Sequence, residues 1–344
     1  MRLALSAIGG SGLDRLYERL AGECGVILTL HHVSTLAEPE FSPNKHLSVH
    51  PEFLAAAIKH LRDRGFDFVA MDDVRERIAN PVEGRKFAAV TVDDGYRDFA
   101  EFGTPVLRAM DVPYTVYVAT GLVDGTGVMW WRGIEKIVRD QSSIEIDGHE
   151  ASFTFDCETI SQKRNALCHL EHHLMTGVPE ADVADTVRAW CEKYDIDIDA
   201  ATRDAVMSWD ELRTLAADPL CTIGAHGNDH LALARLSQQA MEADLLDGLD
   251  RLTKKMGKRP AHLAYPFGYR SAAGAREFKA SNAMGFETAV TTRPGMIFPA
   301  HIDHLTALPR ISVNGWYQDL RYIAPLASGL PTRLRRRFRQ LDVA

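Results

Sequence analysis

The stretch Phe87 to Asp98, FAAVTVDDGYRD, ends an apolar run in two adjacent carboxylates, Asp93 and Asp94, followed by Gly95. Taken alone, Asp-Asp-Gly reads most simply as a turn, because Asp and Gly are common turn residues. Paired carboxylates can also divide the work of hydrolysis, one holding a cation and the other acting as a base on water. Histidines are the natural partners, and three pairs stand four apart: His46/His50, His169/His173 and His226/His230. His46 and His50 lie in HLSVHP, which alternates like a strand, and four strand residues span roughly 13 Å, too far to share an ion. His169 and His173 fall on one helical face with no strand end or carboxylate beside them, so a solvated helix face is expected there. His226 and His230 frame HGNDH directly after an apolar strand. A helix-like turn there would make them neighbours. Asp94, His226 and His230 then form a standard ligand set for catalytic zinc with one position open. Asp93 is left free as the base.

Those groups need a frame that brings strand ends together. Phe87 to Val92 is continuously apolar or β-branched, as in a parallel strand covered on both faces. Successive side chains alternate across a strand, so Asp93 and Asp94 can share a pocket only if the chain bends, which Gly95 permits. Gly25 to Leu30, GVILTL, is a second buried strand ending in polar residues, His31 and His32. Helix 51–64, strand 66–70, helix 99–110 and strand 114–119 continue a β-then-α rhythm, which argues for a parallel sheet. Residues 124–207 break it with helices and the alternating ASFTFDC, and read as an insertion. The rhythm returns through strand 221–225, helix 237–256, strand 262–265, helix 273–284, strand 287–291 and LPRISV at 308–313. Seven or eight strands, most followed by helices, suit a distorted β/α barrel with its site at the strand C-termini. An amphipathic helix is expected within residues 1–24, the barrel over 25–320, and a basic tail over 321–344.

The chain of 344 residues is 46% hydrophobic and 25% charged, which excludes collagen-like, disordered and disulfide-scaffold classes. Its net charge of −8 gives no reason to expect nucleic acid as a partner. Five scattered cysteines with no C-x-x-C look like reduced thiols. Charged residues follow the short apolar opening at once, which argues against a cleaved signal peptide. With no spanning apolar stretch, the expectation is a cytoplasmic protein or one peripheral to the inner membrane. RLRRRFR at 333–339 reads equally as a solvated helix face or as a peripheral contact with anionic lipid or a polyanion.

Together these motifs resemble those of the polysaccharide deacetylases of the NodB-homology type, carbohydrate esterase family 4. TVDDGYRD resembles the family's T-F-D-D-G, HGNDH its H-S/T-x-x-H, and ILTLHHV its opening strand; AYPFG and LPRI fall at later motif positions. The resemblance runs from about residue 26 to 315. It implies a distorted (β/α)7 barrel carrying a helical insertion and metal-dependent N-deacetylation of an N-acetylated glycan or glycolipid. Zinc is the expected metal, with Asp94, His226 and His230 as ligands and Asp93 as base. One branch takes its acid histidine from an N-terminal strand, which His31 matches, with His32 as the alternative. A backbone N–H near Phe267 is expected at the oxyanion, with Tyr265 and Trp131 near substrate; Trp130 and Trp316 are further aromatic candidates.

Three departures stand out. The Ser or Thr after the first ligand histidine is Gly227, the family's motif Arg is replaced by Ala264, and its Asp-Trp pair is not evident. Arg310 of LPRI is the candidate for orienting the base in place of the motif Arg. Rival readings are deacylation or deformylation of a lipid-linked sugar or other amide, and a catalytically silent carbohydrate-binding protein on the same scaffold.

Overall fold

The computed structural model describes residues 22–37, 39–147, 152–335 and 341–344. In chain order its strands are β1 (Gly25–Leu30), β2 (His32–Val33), β3 (Ser48–Val49), β4 (Phe66–Phe68), β5 (Lys86–Val92), β6 (Tyr114–Val118), β7 (Ser143–Asp147), β8 (Ser152–Asp156), β9 (Cys221–Ala225), β10 (His262–Ala264), β11 (Thr288–Pro294) and β12 (Leu308–Ser312). Seven of them close a parallel barrel in the order β1, β12, β11, β10, β9, β6, β5, with β5 returning to β1 in unbroken register from Gly25↔Phe87 to Leu30↔Val92. This is the distorted β/α barrel expected from the strand–helix rhythm, with the seven strands that the family resemblance implies. An eighth strand, β4, shares one edge of β5 with β6: β4 pairs with Lys86–Ala88 and β6 with Val90–Val92. The barrel is distorted at that shared edge.

β1 is buried along its whole length and β5 everywhere but Lys86, as their unbroken apolar composition requires when both faces are covered. Alternate residues serve two packing layers. Ile27, Phe87, Ala89, Tyr117, Ala264, Val290 and Leu308 form one cluster. Val26, Leu28, Leu30, Val90 and Val92 join the larger one with Leu54, Ile58 and Leu61 of α1 (Pro51–Asp63). Pro51 opens that helix in the first turn, where its missing N–H costs nothing.

Between β6 and β9 the chain builds helices Trp130–Asp140, Ile160–Thr176, Val183–Lys193 and Ile198–Ala205 and the antiparallel hairpin of β7 and β8. They share a separate core that includes Ile134, Ile137, Leu170, Leu174, Val187 and Trp190. A capping box of Thr159 and Gln162 starts the second of these helices. The rings of His169 and His173 lie against Phe155 and Phe153 of the hairpin, with centroids 5.5 and 4.9 Å apart, so this face is partly covered and not simply solvated.

Several expectations need correction. Residues 43–47 form a 3₁₀ turn and only Ser48–Val49 is strand, so HLSVHP is not one extended segment. The His46 ring instead sits 5.1 Å from that of Trp316. The tail boundary at 320/321 falls at the start of helix Leu320–Ala327, which packs on α1 and buries Ile323, Ala324 and Ala327. Beyond it, Asp342 pairs with Arg270 and Arg293, returning the chain to the barrel. The amphipathic helix expected near the start lies almost wholly outside the described residues, as does most of the 333–339 arginine run. Among the described residues no helix is long and apolar enough to cross a membrane.

Candidate active site

Because the barrel strands are parallel, their C-terminal ends share one rim, and the groups singled out by spacing gather there. The Asp93 N–H continues the ladder by donating to the Leu30 carbonyl at 3.0 Å. The chain then turns: Asp94 has φ 69° and Gly95 φ 67°, so the bend begins one residue earlier than Gly95 alone would give. This is how two consecutive carboxylates come to face one site. Positive φ is uncommon outside glycine and marks strain held by surrounding structure. Among the described residues it occurs at five non-glycine positions, three of which are Asp94, His230 and Phe267.

Asp94, His226 and His230 are buried and converge. Asp94 Oδ1 lies 3.3 Å from His226 Nε2 and 3.2 Å from His230 Nε2. They are the one group of three or more His, Cys, Asp or Glu among the described residues whose ligand atoms could share an ion. The expected helix-like turn is absent; His226 follows β9 directly and an irregular loop folds back so that the two rings stand 4.9 Å apart. His226 Nδ1 is 2.7 Å from the Ala264 carbonyl, which can only accept, so Nδ1 carries a proton and donates it. In the neutral ring Nε2 then offers its lone pair toward Asp94 Oδ1, itself an acceptor without a hydrogen-bond partner. Two buried acceptors facing each other require positive charge between them. The donor set therefore fits a divalent cation.

The electrostatics agree. Burial pulls the His226 imidazole down, but the facing Asp94 carboxylate, with attraction from Asp93, outweighs it and the net shift is upward, so a positive charge is favoured between Nε2 and Oδ1. Burial pushes the Asp94 carboxyl up, yet His230 and His226 outweigh it and hold it well below the carboxylate range.

Asp93 is held on its other side by Arg310. Nη1 donates to Oδ1 at 2.7 Å and Nη2 to Oδ2 at 2.6 Å, while Nη1 also reaches Thr91 Oγ1 and Nε the Thr291 carbonyl. Burial pushes the Asp93 carboxyl up, but the guanidinium more than offsets it and the net shift is downward. Arg310 thus stands where a substitute for the motif Arg must stand. His31 Nε2 lies 3.9 Å from Asp93 Oδ2, and burial lowers its imidazole despite the nearby carboxylates. His32 turns away to Asp98, with Nδ1 2.7 Å from Oδ2 and its ring tilted against that of Tyr96, centroids 3.6 Å apart.

The aromatic candidates separate. Phe267 and Trp131 both reach His230, with ring centroids 4.7 and 4.8 Å from its imidazole. Tyr265 does not face the site: it is fully buried, its hydroxyl meets Ser281 and donates to the Thr306 carbonyl at 2.8 Å, and its role is packing. Trp130 is also largely buried, while Trp316 is half exposed beside His46. A cleft of about 400 Å³ opens beside this centre, lined by His32, Tyr96, Trp131, Arg132, Ser34 and Ser48 among others.

Two acids beside the site escape the sequence reading: Asp98, which meets His32, and Asp244, which accepts from the Asn228 and Asp229 N–H groups. Asp98 lies within the FAAVTVDDGYRD stretch but carries no spacing signal of its own. Asp244 interrupts the apolar stripe of helix Gln238–Met256 between Met241 and Leu245, an irregularity that could have marked it.

A parallel barrel with these carboxylates and histidines on its C-terminal rim is the frame of a hydrolase. The chain belongs to the polysaccharide deacetylase family, hydrolases of carbon–nitrogen bonds, whose profile matches residues 81–289. His31 and Arg310 lie outside the matched span. PplD, a deacetylase from Streptococcus pyogenes solved in complex with acetate, shares the fold at 17% identity over 88% of this chain and 97% of its own, with a TM-score of 0.57. IcaB from Ammonifex degensii does so at 16% identity over 89% and 98%, with a TM-score of 0.56. BC0361, a polysaccharide deacetylase from Bacillus cereus, is 17% identical over 88% and 68%, with a TM-score of 0.54. No curated protein matches the chain.

Proposed function

We propose that this enzyme hydrolyses the acetamide of an N-acetylated amino sugar in an oligo- or polysaccharide, using a divalent metal held by Asp94, His226 and His230. The observation that carries the reading is the mutual facing of Asp94 Oδ1 and the two Nε2 atoms, with the His226 proton committed to Ala264. Two imidazoles and a carboxylate suit zinc. Bound there, such a cation supplies Lewis-acid polarisation of the acetamide carbonyl and a more acidic water.

The chain's own groups do the rest. Asp93, kept ionised and oriented by Arg310, accepts the proton of the attacking water. The Phe267 N–H, which donates to no acceptor among the described residues, is available to the carbonyl oxygen as it gains charge. His31, whose Nε2 lies 3.9 Å from Asp93 Oδ2, delivers a proton from that nitrogen to the departing amine. Trp131 and the adjoining cleft provide an aromatic wall and polar rim of the kind that sugar rings use. Acetate and a free amino sugar result.

The test is acetate release from N-acetylglucosamine oligomers by chelated protein and by the same protein reloaded with zinc. Release only after reloading is expected. Equal release by the chelated, metal-free protein would contradict the ligand assignment.

A further inference from the structure

We propose that Asp244 is a positioning residue for the two histidines, its carboxylate seated in the space left by Gly227 and holding the backbone of the loop between them. The proposal rests on the reading of His226 and His230 as metal ligands.

Residues 226–230 belong to no helix or strand, so their backbone groups need partners from outside. One side of the loop is met by the chain after β6. There Gly121 N–H donates to the Asn228 carbonyl at 2.7 Å, Thr120 N–H to the Gly227 carbonyl at 3.4 Å, and Thr120 Oγ1 to Asn228 Oδ1 at 2.7 Å. The loop's other hydrogen-bond partner is the Asp244 carboxylate. Its Oδ2 accepts from Asn228 N–H at 3.2 Å and its Oδ1 from Asp229 N–H at 3.0 Å. Asp244 is 6% exposed and forms no ion pair among the described residues, so these two N–H groups are its partners.

The seat depends on two missing side chains. A Cβ on Gly227 would stand 2.6 Å from Asp244 Oδ2, and a Cβ on Gly248, one helical turn further, 2.5 Å from the Gly227 carbonyl oxygen. The helix therefore approaches backbone to backbone, and its carboxylate occupies the place a side chain at 227 would need. Gly227 itself has φ 71°, which opens the chain toward Asp244. A carboxylate buried without a cation is costly unless it is hydrogen-bonded, and the two loop N–H groups supply those bonds. The same bonds hold the backbone between His226 and His230.

The experiment compares Asp244→Asn with Leu245→Ala, a buried neighbour on the same helix whose side chain has no hydrogen bond to offer the loop. Asparagine keeps the size of the side chain but turns an amide toward one of the two N–H donors. Zinc affinity and amide hydrogen exchange at 228 and 229 are measured on folded protein, well below each melting temperature. For Asp244→Asn, affinity should fall about tenfold or more and exchange should quicken by a similar factor, as expected for supports of metal ligands. Leu245→Ala should leave both nearly unchanged whatever its loss of stability. Unaltered affinity and exchange in Asp244→Asn, or the same changes in both variants, would overturn the proposal. Wild-type protein that binds no zinc would defeat the metal reading instead; exchange at 228 and 229 then decides the role of Asp244 by itself, unaltered exchange overturning it.

Discussion

Arg310 and Asp93 meet through two parallel hydrogen bonds, of 2.7 and 2.6 Å, although 217 positions separate them in sequence. The pair is buried and bidentate, a geometry that fixes direction as well as charge. The guanidinium both aims the carboxylate and keeps it ionised.

Replacing Arg310 by Met should therefore strand a buried carboxylate. The expected loss of stability is about 3–5 kcal/mol, the range for breaking a buried ion pair. Arg310→Lys, which keeps the charge without the fork, should cost less. In the variants that remain folded, the acid limb of kcat/KM moves to higher pH, because Asp93 loses the group that holds its carboxyl down. An acid limb that stays in place would remove Arg310 from the machinery.

His31 and His32 are adjacent in sequence but face different partners, Asp93 and Asp98. A group that protonates a leaving amine matters for amides and little for activated esters, whose leaving group departs without a proton. Hence His31→Ala should slow deacetylation about 10²-fold or more while largely sparing 4-nitrophenyl acetate hydrolysis. His32→Ala should show no such selectivity. If His32→Ala behaves in the way expected of His31→Ala, the assignment is reversed.

Glu211 links the motif loop to the helix that precedes β9. It accepts from Arg97 Nε at 2.9 Å and closes the capping box with Ser208. Arg97 hydrogen bonding, against some burial, and the Ser208 N–H bring its carboxyl down to about 2. The folded value lies below the ordinary one, so the stabilisation is complete above about 4.5 and fades as pH falls through about 2. Both side chains are partly exposed, so the effect should be on the order of 1 kcal/mol or less and shrink in salt. Urea midpoints at pH 7 and pH 3 should fall further for wild type than for Glu211→Gln. Parallel losses would contradict the linkage.

The strand ends are legible in the sequence because, in a parallel sheet, a continuously apolar run breaks into charge where the strand leaves the core. β1 and β5 show this most clearly, and Asp94, His226 and His230 follow from it. The path of the chain between those points is not legible in the same way. The turn at Asp94 and the loop at His226–His230 depend on positive φ at non-glycine residues and on partners from Thr120, Gly121 and Asp244, all distant in sequence. Tyr265 is misplaced for the same reason. Proximity to PFG puts it near the site, but strand alternation turns its ring outward to Ser281. Arg310 can be nominated from the gap at Ala264 alone, yet only the closed barrel shows that β12 carries it back to β5 through β1.

The most direct measurement is acetate released from N-acetylglucosamine oligomers by zinc-loaded wild type and zinc-loaded Asp93→Asn, with bound zinc quantified in both. Asparagine keeps the shape of the side chain but removes the base and the charge opposite Arg310, so the comparison is made on folded protein, where both should bind zinc while release by the variant falls about 10²–10⁴-fold. Equal release by the two proteins, or none from zinc-loaded wild type, would contradict deacetylation with Asp93 as the base.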